Sequence, residues 1–266
     1  MGFIEQNGVK IYYETHGVGE PLVLIEGLAQ QISMWKYQVM GLKDLFKVAA
    51  FDLRGSGKSD KPQSGYSLDL FIEDTKAIID HLNLGKPNML GASLGGFIAQ
   101  AFAAKYGNLI NKLILVNTAF GGPKYIPLSQ EVLNTMLYGG KGNTPLEKAV
   151  DALSYSFSED FVKEKRTIIE NIARELLENP QPPYAYQGQA IVGATFNMEN
   201  EAKTIRNKTL VIVADKDKIV PMGNGINLHK AIPKSKFVMI KNAGHLSFIE
   251  KYEEFNTVVK NFLKNG

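Results

Sequence analysis

The chain has 266 residues, 44% of them hydrophobic and 21% charged, with a formal net charge of +3, which describes an ordinary globular protein long enough for one full core and a large insertion. No apolar run approaches the roughly 20 residues of a membrane span, and the lysines are scattered rather than striped, so neither a membrane surface nor nucleic acid is expected as a partner. The absence of cysteine removes disulfides, thiol nucleophiles and thiolate-bound metal together.

The opening Met1-Gly2-Phe3-Ile4-Glu5-Gln6 lacks a basic flank and a long apolar core, and Gln6 stands where a myristoylation signal needs Ser or Thr, so a cytoplasmic location is expected. From Phe3 to His16, two β-rich runs flank Asn7-Gly8, a strong hairpin signal. Pro21 to Ile25 is a continuous apolar run, as in a strand buried on both faces, and it leads into Glu26-Gly27-Leu28-Ala29 as a loop. A helical pattern from about Ser33 to Leu45 precedes a second buried strand, Lys47 to Phe51, and then the loop Asp52-Leu53-Arg54-Gly55-Ser56-Gly57-Lys58-Ser59. An amphipathic helix follows from Ser67 to about Leu82, with Ser67 as its N-cap.

Pro87 to Leu90 predicts a strand, Leu94 to Tyr106 a helix, and Lys112 to Val116 another strand. Strands and helices therefore alternate, which predicts a parallel sheet covered on both faces with ligand sites at the carboxyl ends of its strands. Between about Ala119 and Arg206 the strand signal disappears. Helical patterns fill this segment, broken at Gly139 to Thr144 and at Pro180 to Pro183, and it reads as an inserted cap. Its aromatic residues Tyr125, Tyr138, Tyr155, Phe157, Phe161, Tyr184, Tyr186 and Phe196 either line an apolar acyl pocket or fill the insertion's own core, the latter for most of them. The sheet pattern resumes at Thr209 to Val213 and at Lys236 to Ile240, and a helix from Tyr252 to Leu263 closes the chain.

Gly91-Ala92-Ser93-Leu94-Gly95-Gly96 fits a sharp strand-to-helix turn that pushes a serine oxygen out above the sheet. A serine hydroxyl needs a base to take its proton, and the base works best when a carboxylate fixes its tautomer. Of the four histidines, only His245 lies in a loop late in the chain directly after a strand. The preceding post-strand loop offers two acids, Asp215 and Asp217. The order Ser, Asp, His, each at a strand end, is the one the α/β-hydrolase arrangement requires.

On these pieces, with Asp52-x-Arg54-Gly55-x-Gly57-x-Ser59, Asp217-x-x-Val220-Pro221 and Gly244-His245, the chain resembles the α/β-hydrolase family. The likeness is to its small esterase, enol-lactonase and C–C hydrolase branch, and it covers nearly the whole sequence. It implies a mostly parallel eight-stranded sheet with helices on both faces and an inserted helical cap. The core is then residues 1–119 and 206–266, with the cap at 120–205. It also implies Ser93, Asp217 and His245 as the catalytic triad, Asp215 as a turn residue, and the backbone N–H groups of Leu28 and Leu94 as the oxyanion hole. No metal or cofactor is needed, and the expected partner is a small-molecule ester; whether the chain is a monomer or a homodimer stays open.

One position departs from the family: relatives carry His-Gly where this chain has Glu26-Gly27. Glu26 is expected to support the site from behind, paired with Arg54; the alternative is that its charge opposes the oxyanion or tunes His245.

Rival readings fail on particular residues. Gly55 to Ser59 looks like the end of a phosphate-binding loop, but Asp52 occupies the first glycine's position and Pro62 follows too soon for the required helix. Ser93 stands where a dinucleotide fingerprint needs its second glycine. Related dehalogenases and epoxide hydrolases use aspartate as nucleophile, and prolyl aminopeptidase relatives carry an oxyanion loop absent around Glu26. The expected activity is hydrolysis of small, fairly apolar carboxylic esters. The alternatives are an enol-lactone or C–C bond hydrolase using the same residues, or a non-catalytic binding member of the fold.

Overall fold

The computed structural model describes residues 1–265. Strands β1 (Gly2–Gln6) and β2 (Val9–His16) form the expected hairpin, and Asn7 and Gly8 both take positive φ, 52° and 72°, as a two-residue turn between right-twisted strands demands. Next come β3 (Glu20–Ile25), α1 (Lys36–Leu42), β4 (Phe46–Phe51), α2 (Leu68–His81), β5 (Asn88–Ala92), α3 (Leu94–Tyr106) and β6 (Lys112–Val116). Five helices follow: α4 (Gln130–Tyr138), α5 (Pro145–Ser154), α6 (Glu159–Glu164), α7 (Arg166–Glu178) and α8 (Pro183–Ala194). The chain ends with β7 (Lys208–Ala214), α9 (Gly223–Ala231), β8 (Lys236–Ile240), α10 (Ser247–Glu250) and α11 (Tyr252–Asn265).

The eight strands make one sheet in the order β1-β2-β4-β3-β5-β6-β7-β8, antiparallel at β1-β2 and β2-β4 and parallel from β4 onward. Successive residues of β3 point to opposite faces, yet from Pro21 onward all are apolar: Val23 and Ile25 join a core with Phe71 of α2 and Phe102 of α3, while Leu22 and Leu24 join one with Leu42 of α1 and Phe255 of α11. Burial on both faces is why this strand reads as a continuous hydrophobic run.

Two boundaries differ from the sequence reading. The helix expected from Ser33 to Leu45 is a 3-10 turn over Ile32–Trp35 followed by the seven-residue α1, and Leu45 N–H closes a turn onto Leu42 that feeds Phe46 into β4. The strand expected over Pro87 to Leu90 instead runs to Ala92, because Gly91 and Ala92 still pair with Leu115 and Val116. The capping of α2 is as expected, with Ser67 Oγ accepting from Leu70 N–H at 3.3 Å. Within the helical stretch between β6 and β7, a single β-bridge joins Gly121 to Asn197, so the segment leaves and re-enters the sheet layer at neighbouring points. Among the described residues no helix is long and apolar enough to cross a membrane.

Candidate active site

Ser93 lies between β5 and α3 with φ 53° and ψ −120°, a left-handed conformation that a non-glycine residue holds only when its surroundings impose it. Those surroundings are visible. Its N–H donates to Val116 O at 3.0 Å, and its carbonyl accepts from Gly96 N–H at 2.9 Å and Phe97 N–H at 3.2 Å. Thr118 Oγ1 adds a third hydrogen bond to that carbonyl at 2.9 Å. The glycines allow the close approach the turn needs: a Cβ on Gly95 would sit 2.2 Å from the carbonyl oxygen of Ile25, and one on Gly91 would sit 2.2 Å from that of Gly95. The start of α3 is thus pressed directly against the end of β3, and the serine is lifted between them.

His245 and Asp217 come from the loops after β8 and β7 and are both buried. His245 Nδ1 is 2.8 Å from Asp217 Oδ2. The other carboxylate oxygen, Oδ1, accepts from the N–H groups of Ile219 and Val220, both at 2.8 Å. With Asp217 acceptor-only, Nδ1 carries the proton and Nε2 is left as the basic nitrogen. Asp215, the rival acid, makes no contact with the imidazole; its Oδ1 accepts from Ala243 N–H at 3.4 Å and ties off the turn before the histidine. Asn117, at φ 45°, donates through Nδ2 to the His245 carbonyl at 2.6 Å and to Ser247 Oγ at 3.0 Å. The other three histidines pair with Glu14, Tyr13 and Ser235, away from these loops.

The loop after β3 carries the first expected oxyanion donor. Gly27 N–H donates to Gln30 Oε1 at 3.0 Å and Ala29 N–H to Gln189 Oε1 at 3.4 Å. Leu28 N–H, between them, and Leu94 N–H, at the first turn of α3, have no hydrogen-bond partner among the described residues. A Cβ on Gly27 would come 3.1 Å from Ser93 Cβ, so this loop borders the serine directly. Two free N–H groups beside a serine, one at a helix N-terminus, are what a developing oxyanion requires.

Glu26 is fully buried, as a supporting residue would be, but its expected pairing with Arg54 is not formed. Arg54 instead makes a bidentate pair with Asp74 of α2, through Nε to Oδ2 at 2.6 Å and Nη2 to Oδ1 at 2.7 Å, and donates to Gly65 O at 2.9 Å. The planar guanidinium matches a carboxylate that presents both oxygens, whereas Glu26 turns Oε1 to Leu53 N–H at 3.0 Å and leaves Oε2 buried without a partner among the described residues. Burial, with Asp52 nearby, pushes the Glu26 carboxyl well above the usual range. That shift works against the alternative in which its charge opposes an oxyanion. Sequence reasoning missed Asp74, although it sits at helical spacing between buried Phe71 and Ile78, where a carboxylate demands a partner.

A cleft of about 680 Å³ borders the same loop, with Ala29, Gln30 and Gln31 on one side and Met136, Leu176, Tyr186 and Ile191 of the inserted helices on the other. None of its lining residues is charged. Four of the eight inserted aromatics lie in or against core, fewer than expected: Phe157 stacks on Phe161 at 4.9 Å, Phe196 on Phe97 at 4.2 Å, and Tyr125 packs against the same core as Phe196. Tyr138 is exposed, and of the named aromatics only Tyr186 lines the cleft. Among the described residues no group of three or more His, Asp or Glu side chains is gathered as a metal site would need.

The α/β-hydrolase fold family matches residues 20–252, and the chain belongs to it. The chain is 30% identical to the AB hydrolase superfamily protein YisY of Bacillus subtilis over 96% of its own length and 95% of that protein's. It is 27% identical to a 2-hydroxy-6-oxononadienedioate/2-hydroxy-6-oxononatrienedioate hydrolase of Paraburkholderia phymatum, over 96% and 91%. The enol-lactonase of Burkholderia xenovorans superposes with a TM-score of 0.86 at 25% identity, covering 99% of this chain and all of that one.

Proposed function

We propose that the chain is a serine hydrolase that cleaves small, uncharged carboxylic esters through an acyl-enzyme on Ser93. The observation that carries the reading is the buried Asp217–His245 hydrogen bond of 2.8 Å, together with a serine held in a strained turn between two unpartnered N–H groups. His245 Nε2 takes the proton of Ser93 Oγ as the oxygen attacks the acyl carbon. Asp217 holds the imidazole in the right tautomer and stabilises its cation, and Leu28 N–H and Leu94 N–H hold the oxyanion. The proton then passes to the leaving alcohol, and a water activated by the same histidine releases the acid and frees Ser93.

The relatives favour a second reading, hydrolysis of an enol-lactone or a C–C bond with the same residues. The dioate named for the Paraburkholderia enzyme carries two carboxylates, however, and the cleft beside the loop after β3, which Ser93 and His245 do not themselves line, has no cation to pair with them. That supports a neutral ester. Ser93→Ala is expected to lower p-nitrophenyl butyrate turnover by about 10⁴ to 10⁶, and retention of more than a tenth would overturn the assignment. A panel of neutral esters, lactones and dicarboxylate vinylogous diketones separates the two readings: kcat/KM highest on the diketones would favour the second.

A further inference from the structure

Gln189 is the place where the inserted helices reach into the catalytic loops. It projects from α8 between buried Ala185 and Val192 and is itself fully buried. Its Nε2 donates to the Arg54 carbonyl and to Ser56 Oγ, both at 2.9 Å, and its Oε1 accepts from Ala29 N–H at 3.4 Å. The amide orientation is fixed by its partners, because the Arg54 carbonyl only accepts and the Ala29 N–H only donates. Ala29 has φ 58°, a left-handed conformation costing about 1–2 kcal/mol for a residue with a Cβ, so it persists only while something holds it. Gln189 supplies the side-chain hold, beside the turn bond from Gln30 N–H to Gly27 O at 3.3 Å. The preceding N–H, that of Leu28, has no partner among the described residues.

We infer that Gln189 is a positioning residue, which fixes the Leu28 N–H in the oxyanion hole by holding Ala29 and so couples the inserted helices to transition-state stabilisation. This rests on the serine-hydrolase reading above. Ala190, Ile191 and Ala194 of the same helix line the cleft, so whatever fills the cleft presses on the element that carries Gln189. Substrate recognition by the insertion thereby reaches the oxyanion donor through one side chain. The expected kinetic mark is in kcat rather than KM, since a misdirected donor costs only where oxyanion charge develops.

The test compares wild type, Gln189→Met, which keeps volume and removes all three hydrogen bonds, and Tyr184→Phe. Tyr184 ties the same helix to Lys61 O at 3.0 Å without touching Ala29. On p-nitrophenyl butyrate, Gln189→Met should lose roughly tenfold to a hundredfold in kcat with KM changed by less than about threefold. A trifluoromethyl ketone, which adds to the serine and presents an oxyanion, should lose inhibition in proportion. Tyr184→Phe should stay within about twofold of wild type in kcat.

Wild-type kcat in Gln189→Met would overturn the inference, as would an equal kcat loss in both variants that tracks their melting temperatures. If Gln189→Met does not fold, Gln189→Glu decides, because it keeps an oxygen for Ala29 N–H and should exceed Gln189→Ala in kcat by at least about threefold; equality would overturn the inference. Hydrolysis by wild type that survives Ser93→Ala would instead bring down the serine reading on which this one stands.

Discussion

Asp217 and Glu26 are both buried carboxyl groups at strand ends flanking Ser93, and the protein makes opposite use of them. Asp217 accepts three hydrogen bonds, from Ile219 N–H, Val220 N–H and His245, whereas Glu26 accepts one, from Leu53 N–H, and keeps its second oxygen unpartnered. The difference lies in the donors: several aimed at one carboxyl satisfy both its oxygens, whereas burial with a single donor pushes the Glu26 carboxyl up. In the mechanism proposed above Asp217 orients the base, and Glu26 packs behind the loop after β3.

The largest effect should come from removing the acceptor on the histidine side. Asp217→Asn is expected to lower kcat by about 10⁴, because the amide favours the wrong imidazole tautomer. Asp215→Asn, which touches only the turn, should cost less than about tenfold; steady-state kinetics of the pair measures the contrast, and equal losses would erase it. Next in size is another buried carboxyl, Asp74, whose ion-pair partner is Arg54. Arg54→Ala strands it and should destabilise the fold by about 3–5 kcal/mol in urea denaturation. A loss below about 1 kcal/mol would mean the pair is not closed in solution.

The smallest effect concerns pH. Burial raises Asp52 to about 6 from an ordinary 3.8 and pushes Glu26 up further than its usual range. Between its unfolded and folded pKa values each group holds a proton in the native state that the unfolded chain has released, so stability falls as pH rises from about 4 through 6 and beyond. Glu26→Gln removes one of these titrations while keeping an oxygen for Leu53 N–H. The melting temperature of wild type should therefore drop relative to Glu26→Gln between pH 5 and pH 8, and parallel curves would show that Glu26 is already ionised when folded.

What the sequence made legible was local. Strand ends followed by Gly-x-Ser-x-Gly, by Asp-x-x-Val-Pro and by Gly-His are short-range signals, and Ser93, Asp217 and His245 stand after β5, β7 and β8 as those signals imply. The parallel sheet followed from strands apolar on both faces. Long-range pairing was hidden: Arg54 meets Asp74 across 20 positions and Gln189 meets Ala29 across 160, distances over which no periodicity carries information. Each still left a trace, a polar residue on an otherwise buried helical stripe, at Asp74 beside Phe71 and Ile78 and at Gln189 beside Ala185 and Val192. Asn117 left a fainter one, since an asparagine just after a strand tolerates the left-handed backbone it adopts there.

Activation of Ser93 as a nucleophile is read by mass spectrometry after incubation with a fluorophosphonate. One adduct per folded chain is expected, located on Ser93 and lost in His245→Ala, because the serine reacts only when the base removes its proton. An unmodified Ser93 in native, folded protein would contradict it.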